Sequence, residues 1–168
     1  LFEEAVTAAN KAVFEESASH VEYEGMGTTV VACTLEENTL YIANIGDSRL
    51  YLIRDGIEQI TDDHSLVEEM VKQGNITESE ARIHPQKNII TRALGINEEV
   101  QADFFEIDVE QGDVIMLCSD GLSNMVEDED MEYIVKNSDT LQTAAESLVA
   151  RANENGGNDN ITVVLAEV

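Results

Sequence analysis

Between Gly27 and Ile60 the chain strings together short apolar runs separated by tight turns, and few folds accept that pattern. The runs are 28–34 (TTVVACT), 39–45 (TLYIANI), 49–54 (RLYLIR) and 57–60, with Asp55-Gly56 marking a hairpin turn before the last. Closely spaced strands of this kind predict an antiparallel meander of four strands. Strand character returns at 88–92, 101–107, 113–118 and 161–168 (ITVVLAEV). Helical spacing occupies 1–18, where Phe2, Ala5, Val6, Ala9, Val13 and Phe14 share a face. It also occupies 65–73, 77–83, roughly 127–136 and 140–154. Ser65 caps the second of these helices, and Thr77 with Glu80 forms a capping box for the third. Strands cluster and helices cluster without β-α-β alternation. The expected class is therefore α+β with antiparallel sheets, not a doubly wound fold.

Composition narrows the function. The 168 residues suit one domain spanning 1–168. Lys and Arg total 9 against 35 Asp and Glu, a net charge of −26. Phosphate neutralisation needs clustered cations, so no nucleic acid is expected as a partner, and an anionic lipid surface is a poor one. Hydrophobic residues make up 43%, enough for a core, so the acidity does not signal disorder. The longest acidic run, Glu127-Asp128-Glu129-Asp130, reads as a solvated helix start. No apolar stretch approaches the ~18 residues of a membrane span, and no signal peptide is visible. Cys33 and Cys118 each sit inside an apolar run and read as buried free thiols, which suits a reducing, cytoplasmic setting. The chain begins without Met and without an N-cap before its first helix, so the start of a longer sequence is expected to be missing.

Three aspartates stand at the ends of apolar strands beside turns: Asp47 in TLYIANIGD, Asp120 in VIMLCSDG and Asp159 in GGNDNITVV. One such Asp is ordinarily a turn former or a helix cap. Three could converge on one rim, where their oxygens would suit a hard cation such as Mg²⁺ or Mn²⁺. Rival motifs fail. Gly46-Asp47-Ser48 resembles the start of an esterase signature, but no histidine lies near the C-terminus to complete it. Neither cysteine is followed six residues later by Arg, the spacing of cysteine-dependent phosphatases. Phosphate-binding P-loop, EF-hand and zinc spacings are absent from the sequence.

Read in order, the motifs become specific. Glu24-Gly25-Met26-Gly27-Thr28-Thr29 precedes Ile45-Gly46-Asp47-Ser48-Arg49-Leu50-Tyr51 and Arg54-Asp55-Gly56. Thr61-Asp62-Asp63-His64-Ser65, His84-Pro85 and Ile90-Thr91-Arg92-Ala93-Leu94-Gly95 follow. Leu117-Cys118-Ser119-Asp120-Gly121-Leu122 and Gly157-Asn158-Asp159-Asn160-Ile161-Thr162 close the series. It closely resembles the metal-dependent protein phosphatase 2C family in its compact bacterial form.

That resemblance implies an antiparallel β-sandwich flanked by helices, in four α-β-β-α layers. It implies hydrolysis of phosphoserine and phosphothreonine with two Mn²⁺ or Mg²⁺ ions. By motif position, Asp120 and Asp159 correspond to ligands of a core metal, and Asp47, with Asp120, to the holder of a weaker third. Residues 62–88 resemble the family's flap, which carries His64, His84 and Lys87; a solvated polar loop is the plainer reading of those three. Implied substrates are phosphorylated Ser/Thr proteins, including a cognate Ser/Thr kinase, in the cytoplasm of a bacterium. The family's Asp-Gly-x-Gly-Gly motif, whose Asp bridges the core metals, does not occur here, and residues 1–23 contain no glycine. N-terminal strands are accordingly expected to be missing, and residues 1–168 alone to be inactive. The alternative is a pseudophosphatase or regulatory module that binds phosphoproteins without turnover.

Overall fold

The computed structural model describes Phe2–Val168. Leu1, the first residue of the expected opening helix, lies outside the described residues. The order is α1 (Phe2–Ser19), β1 (Val30–Glu36), β2 (Thr39–Ile45), β3 (Arg49–Ile53), β4 (Ile57–Gln59), α2 (Leu66–Lys72) and α3 (Glu78–Arg82). Then come β5 (Asp103–Asp108), β6 (Val114–Cys118), α4 (Asp120–Ser123), α5 (Asp128–Asn137), α6 (Leu141–Glu154) and β7 (Val163–Glu167). One sheet has the order β1-β2-β5 and the other β4-β3-β6-β7. The α+β class read from the sequence holds.

The chain forms two compact units. The first comprises the chain up to Thr34 with Tyr41–Asp47 and Asp63–Glu106. Its apolar centre is Val6 of α1 with Ala43, Ile45 and Leu94, and Phe2, Val13 and Val30 pack against it. Asn10 is buried on α1, where an amide is costly unless satisfied. It is satisfied by the loop beyond Leu94: Oδ1 accepts from the Gly95 N–H at 2.8 Å, and Nδ2 donates to the carbonyls of Asn97 and Glu98.

The second unit comprises Leu35–Leu40, Ser48–Asp62 and Ile107–Val168. Its four-stranded sheet is antiparallel throughout, pairing Ile53 with Ile57, Arg49 with Cys118, and Cys118 with Val163. Alternation along the strands sends Tyr51, Ile53, Met116 and Cys118 to one face. There they meet Met131 and Val135 of α5 and Ala144, Leu148 and Ala152 of α6. A bidentate ion pair closes the far end of the sheet. Arg54 donates from Nε to Asp113 Oδ1 at 2.8 Å and from Nη2 to Oδ2 at 2.6 Å.

Two expectations are corrected. The four early strands are not one meander: β1 and β2 belong to one sheet, β3 and β4 to the other. The chain changes sheets at Gly46-Asp47-Ser48. Gly46 has φ +104°, and a Cβ there would stand 2.3 Å from Thr29 Cγ2, so only glycine makes this turn. The expected strand at 88–92 is also not a strand. Ile90 makes a single bridge to Ser65, and the ladder cannot propagate because Ser65 caps α2, where the partner segment turns helical.

Candidate metal centre

Asp120 and Asp159 are brought together by the end of one strand pair. Ser119 follows β6, and its N–H donates to the Thr162 carbonyl at 3.1 Å. Its hydroxyl donates to the Asn160 carbonyl at 3.1 Å and accepts from the Thr162 N–H at 3.0 Å. Gly121 presses on the same segment: a Cβ there would lie 2.2 Å from the Asn160 carbonyl oxygen. Backbone therefore packs on backbone, and the two carboxylates stand on adjoining turns fixed by main-chain contacts.

Asp120 opens α4, a helical turn the strand-end reading did not foresee, and is half-buried. Its Oδ2 accepts from Asn124 Nδ2 at 3.3 Å, which orients the carboxylate from one side. Asp159 is exposed, with Oδ1 taking the N–H of Asn160 at 2.7 Å. Two oxygen-rich, partly solvated side chains on fixed backbone suit a hard divalent cation that retains waters. Among the described residues no group of three His, Cys, Asp or Glu side chains is arranged to hold a metal. Asp120 and Asp159 stand together as two carboxylates on adjoining turns, joined by backbone contacts. Asp47 belongs to the first unit, half-buried directly after Gly46.

Of the three residues expected in a flap, His64 does not lie in a solvated loop. It is buried, 4% exposed, with Nδ1 on the Gly46 N–H at 3.1 Å and Nε2 on Asp103 Oδ2 at 3.1 Å. Arg92 Nη1 donates to Asp103 Oδ1 at 2.7 Å, completing a His–Asp–Arg network inside the first unit. Burial pushes the Asp103 carboxyl up, but the hydrogen bonds from Arg92 and His64 outweigh it and hold the group below the ordinary carboxylate value. Nothing in the sequence singled out Asp103, one of several acids in an alternating strand; Arg92 was visible only inside ITRALG. His84 and Lys87 are half-buried after α3, where His84 Nδ1 accepts from the Gln86 N–H and the His84 carbonyl from the Lys87 N–H. The segment 62–88 holds α2 and α3 with both expected caps, Ser65 on the Glu68 N–H and the reciprocal Thr77–Glu80 box.

Antiparallel sheets flanked by helices, with two aspartates on adjoining turns at the strand ends, define an α+β chain. A family profile described as protein phosphatase 2C matches residues 1–166. The chain belongs to the protein phosphatase 2C family. It is 44% identical over 163 residues to the serine/threonine phosphatase stp of Listeria monocytogenes serotype 4b, covering 96% of this chain and 65% of that protein. The crystal structure of serine/threonine phosphatase Stp1 from Staphylococcus aureus superposes with a TM-score of 0.94 at 38% identity, covering 97% of this chain and 65% of that one. The catalytic domain of the phosphatase PstP, solved in complex with two manganese ions, superposes with a TM-score of 0.90 at 38% identity, covering 99% and 69%. The chain thus spans about two thirds of the length of these relatives, 65% for the Listeria protein.

Proposed function

We propose that this chain carries part of the metal site of a protein serine/threonine phosphatase, with Asp120 and Asp159 as ligands of Mn²⁺ or Mg²⁺. The observation that carries the proposal is the backbone tie between the two aspartate turns, in a chain of this family. Asp47 is the ligand the resemblance implies for a third ion. Carboxylates alone repel a phosphomonoester dianion, so these residues serve hydrolysis only with cations among them. When bound, such ions offset that charge and acidify water for attack on phosphorus. Asp120 is oriented by Asn124, and Asp159 by its own neighbour's N–H, so both present oxygens without rearranging.

The substrates that fit are phosphoserine- and phosphothreonine-bearing proteins, a Ser/Thr kinase among them, in the cytoplasm. No helix among the described residues is long and apolar enough to cross a membrane. For residues 1–168 taken alone the same reading expects metal binding without turnover, since no Asp-Gly-x-Gly-Gly carboxylate occurs among them. Phosphate release from a phosphothreonine peptide tests the activity, measured on the whole protein that contains these residues. It should require Mn²⁺ or Mg²⁺ and fall by about a hundredfold or more in D120N, the scale of losing one charge-stabilising group. Metal-independent turnover, or a D120N variant as active as the parent, would overturn the reading. Phosphopeptide binding without turnover in that protein would favour the pseudophosphatase instead.

A further inference from the structure

We propose that His64 is a positioning residue that sets the Gly46–Asp47 peptide, and through it the carboxylate of Asp47. This rests on reading Asp47 as a metal ligand. Both polar groups of Gly46 are held by the one residue. Its N–H donates to His64 Nδ1 at 3.1 Å, and its carbonyl accepts from the His64 N–H at 2.9 Å. Asn44 Nδ2 reaches the same carbonyl at 3.4 Å. That carbonyl lies in the peptide that leads into Asp47, so the starting plane of the Asp47 side chain is set by these bonds.

The ring is itself fixed. Because Nδ1 accepts, the proton of the neutral ring sits on Nε2, which donates to Asp103 Oδ2 at 3.1 Å. Arg92 Nη1, which also lies 3.1 Å from Nε2, donates to the other oxygen of Asp103 at 2.7 Å, and with Nε2 protonated that shorter bond takes its proton. Turning the ring over would lose the Gly46 bond and the Asp103 bond together. Gly46 also rests against Thr29 with no room for a Cβ. A histidine that only filled volume would not need both its ring and its backbone on one glycine.

Two substitutions separate positioning from stability. Asn at 64 places an acceptor where Nδ1 stands but cannot reach Asp103; Gln reaches Asp103 but leaves the Gly46 N–H without its acceptor. The readouts on the 168-residue chain are Gly46 amide exchange by NMR and Mn²⁺-induced broadening of the Asp47 signals. H64N should keep Gly46 protection and the Asp47 broadening. H64Q should lose protection by about tenfold, the scale of one hydrogen bond, and weaken the broadening. The reverse order, with H64Q closer to the parent, would show a structural role and overturn the proposal. Should either variant fail to fold, the parent decides: its His64 Nδ1 must show the ¹⁵N shift of an acceptor nitrogen, and a protonated Nδ1 refutes the lock. Broadening at Asp120 and Asp159 but not Asp47 would remove the premise about Asp47 while Gly46 protection still reports the lock. Broadening at none of the three would sink the metal reading itself.

Discussion

Asp113 is 2% exposed and carries a charge, which an interior tolerates only when the charge is fully engaged. Arg54 engages both oxygens and the Glu110 N–H donates to Oδ2 at 2.8 Å, so the carboxyl is held below its ordinary value, chiefly by the Arg54 hydrogen bonds. Arg54 is part-exposed, which screens the pair. D113N should therefore destabilise the chain by about 2 kcal/mol, less than a fully buried pair would cost; urea unfolding measures it, and an unchanged midpoint would contradict the assignment. The pH response follows from the same direction of shift. Asp113 and Asp103 are both lowered in the folded state, so their contribution is complete above the ordinary aspartate pKa and is lost as pH falls through the folded values. Thermal unfolding should show stability falling below about pH 4, and less steeply in D113N. None of this was legible beforehand. Asp113 looked like a strand residue and His64 like a loop residue, because the partners that bury them, Arg54 and Asp103, are remote in sequence.

Elements were legible to the extent that their signals are local. The Thr77–Glu80 box and the Ser65 cap mark helix starts within four residues of sequence, and α2, α3, α5 and α6 stand within a residue or two of where periodicity and caps place them. Strand identity was equally local, and β2 spans the expected 39–45. Strand partnership is not a local property. Alternation is the same whichever sheet a strand joins, so the split of the early strands between two sheets could not be read from TLYIANI or RLYLIR. The short α4 was hidden for a related reason: it is four residues long without a side-chain cap, and its Gly121 packs on the Asn160 carbonyl, which is remote in sequence. That contact makes a prediction. G121A puts a Cβ where backbone cannot yield, so the Asp120 and Asp159 turns should part. Mn²⁺ affinity should then fall by about tenfold or more even though both carboxylates remain. Isothermal calorimetry reads this, and parental affinity in G121A would show that the tie between turns is dispensable.

For the whole molecule, the charge of −26 excludes more than it explains. It argues against nucleic acid and anionic membranes, and most of the acidic residues are exposed. Family membership was read from the order of the motifs rather than from any one of them, and the family profile matches the same stretch, residues 1–166. The aspartates proposed as metal ligands were legible as strand-end residues; the backbone tie between the Asp120 and Asp159 turns was not. The most direct test is Mn²⁺ binding to the chain, followed by electron paramagnetic resonance of the free ion, in the parent and in D120N and D159N. Saturable Mn²⁺ uptake in the parent, weakened by about a hundredfold in either variant, is the predicted result. Uptake in D120N and D159N indistinguishable from the parent would mean that the acidic surface, not this pair, holds the ion.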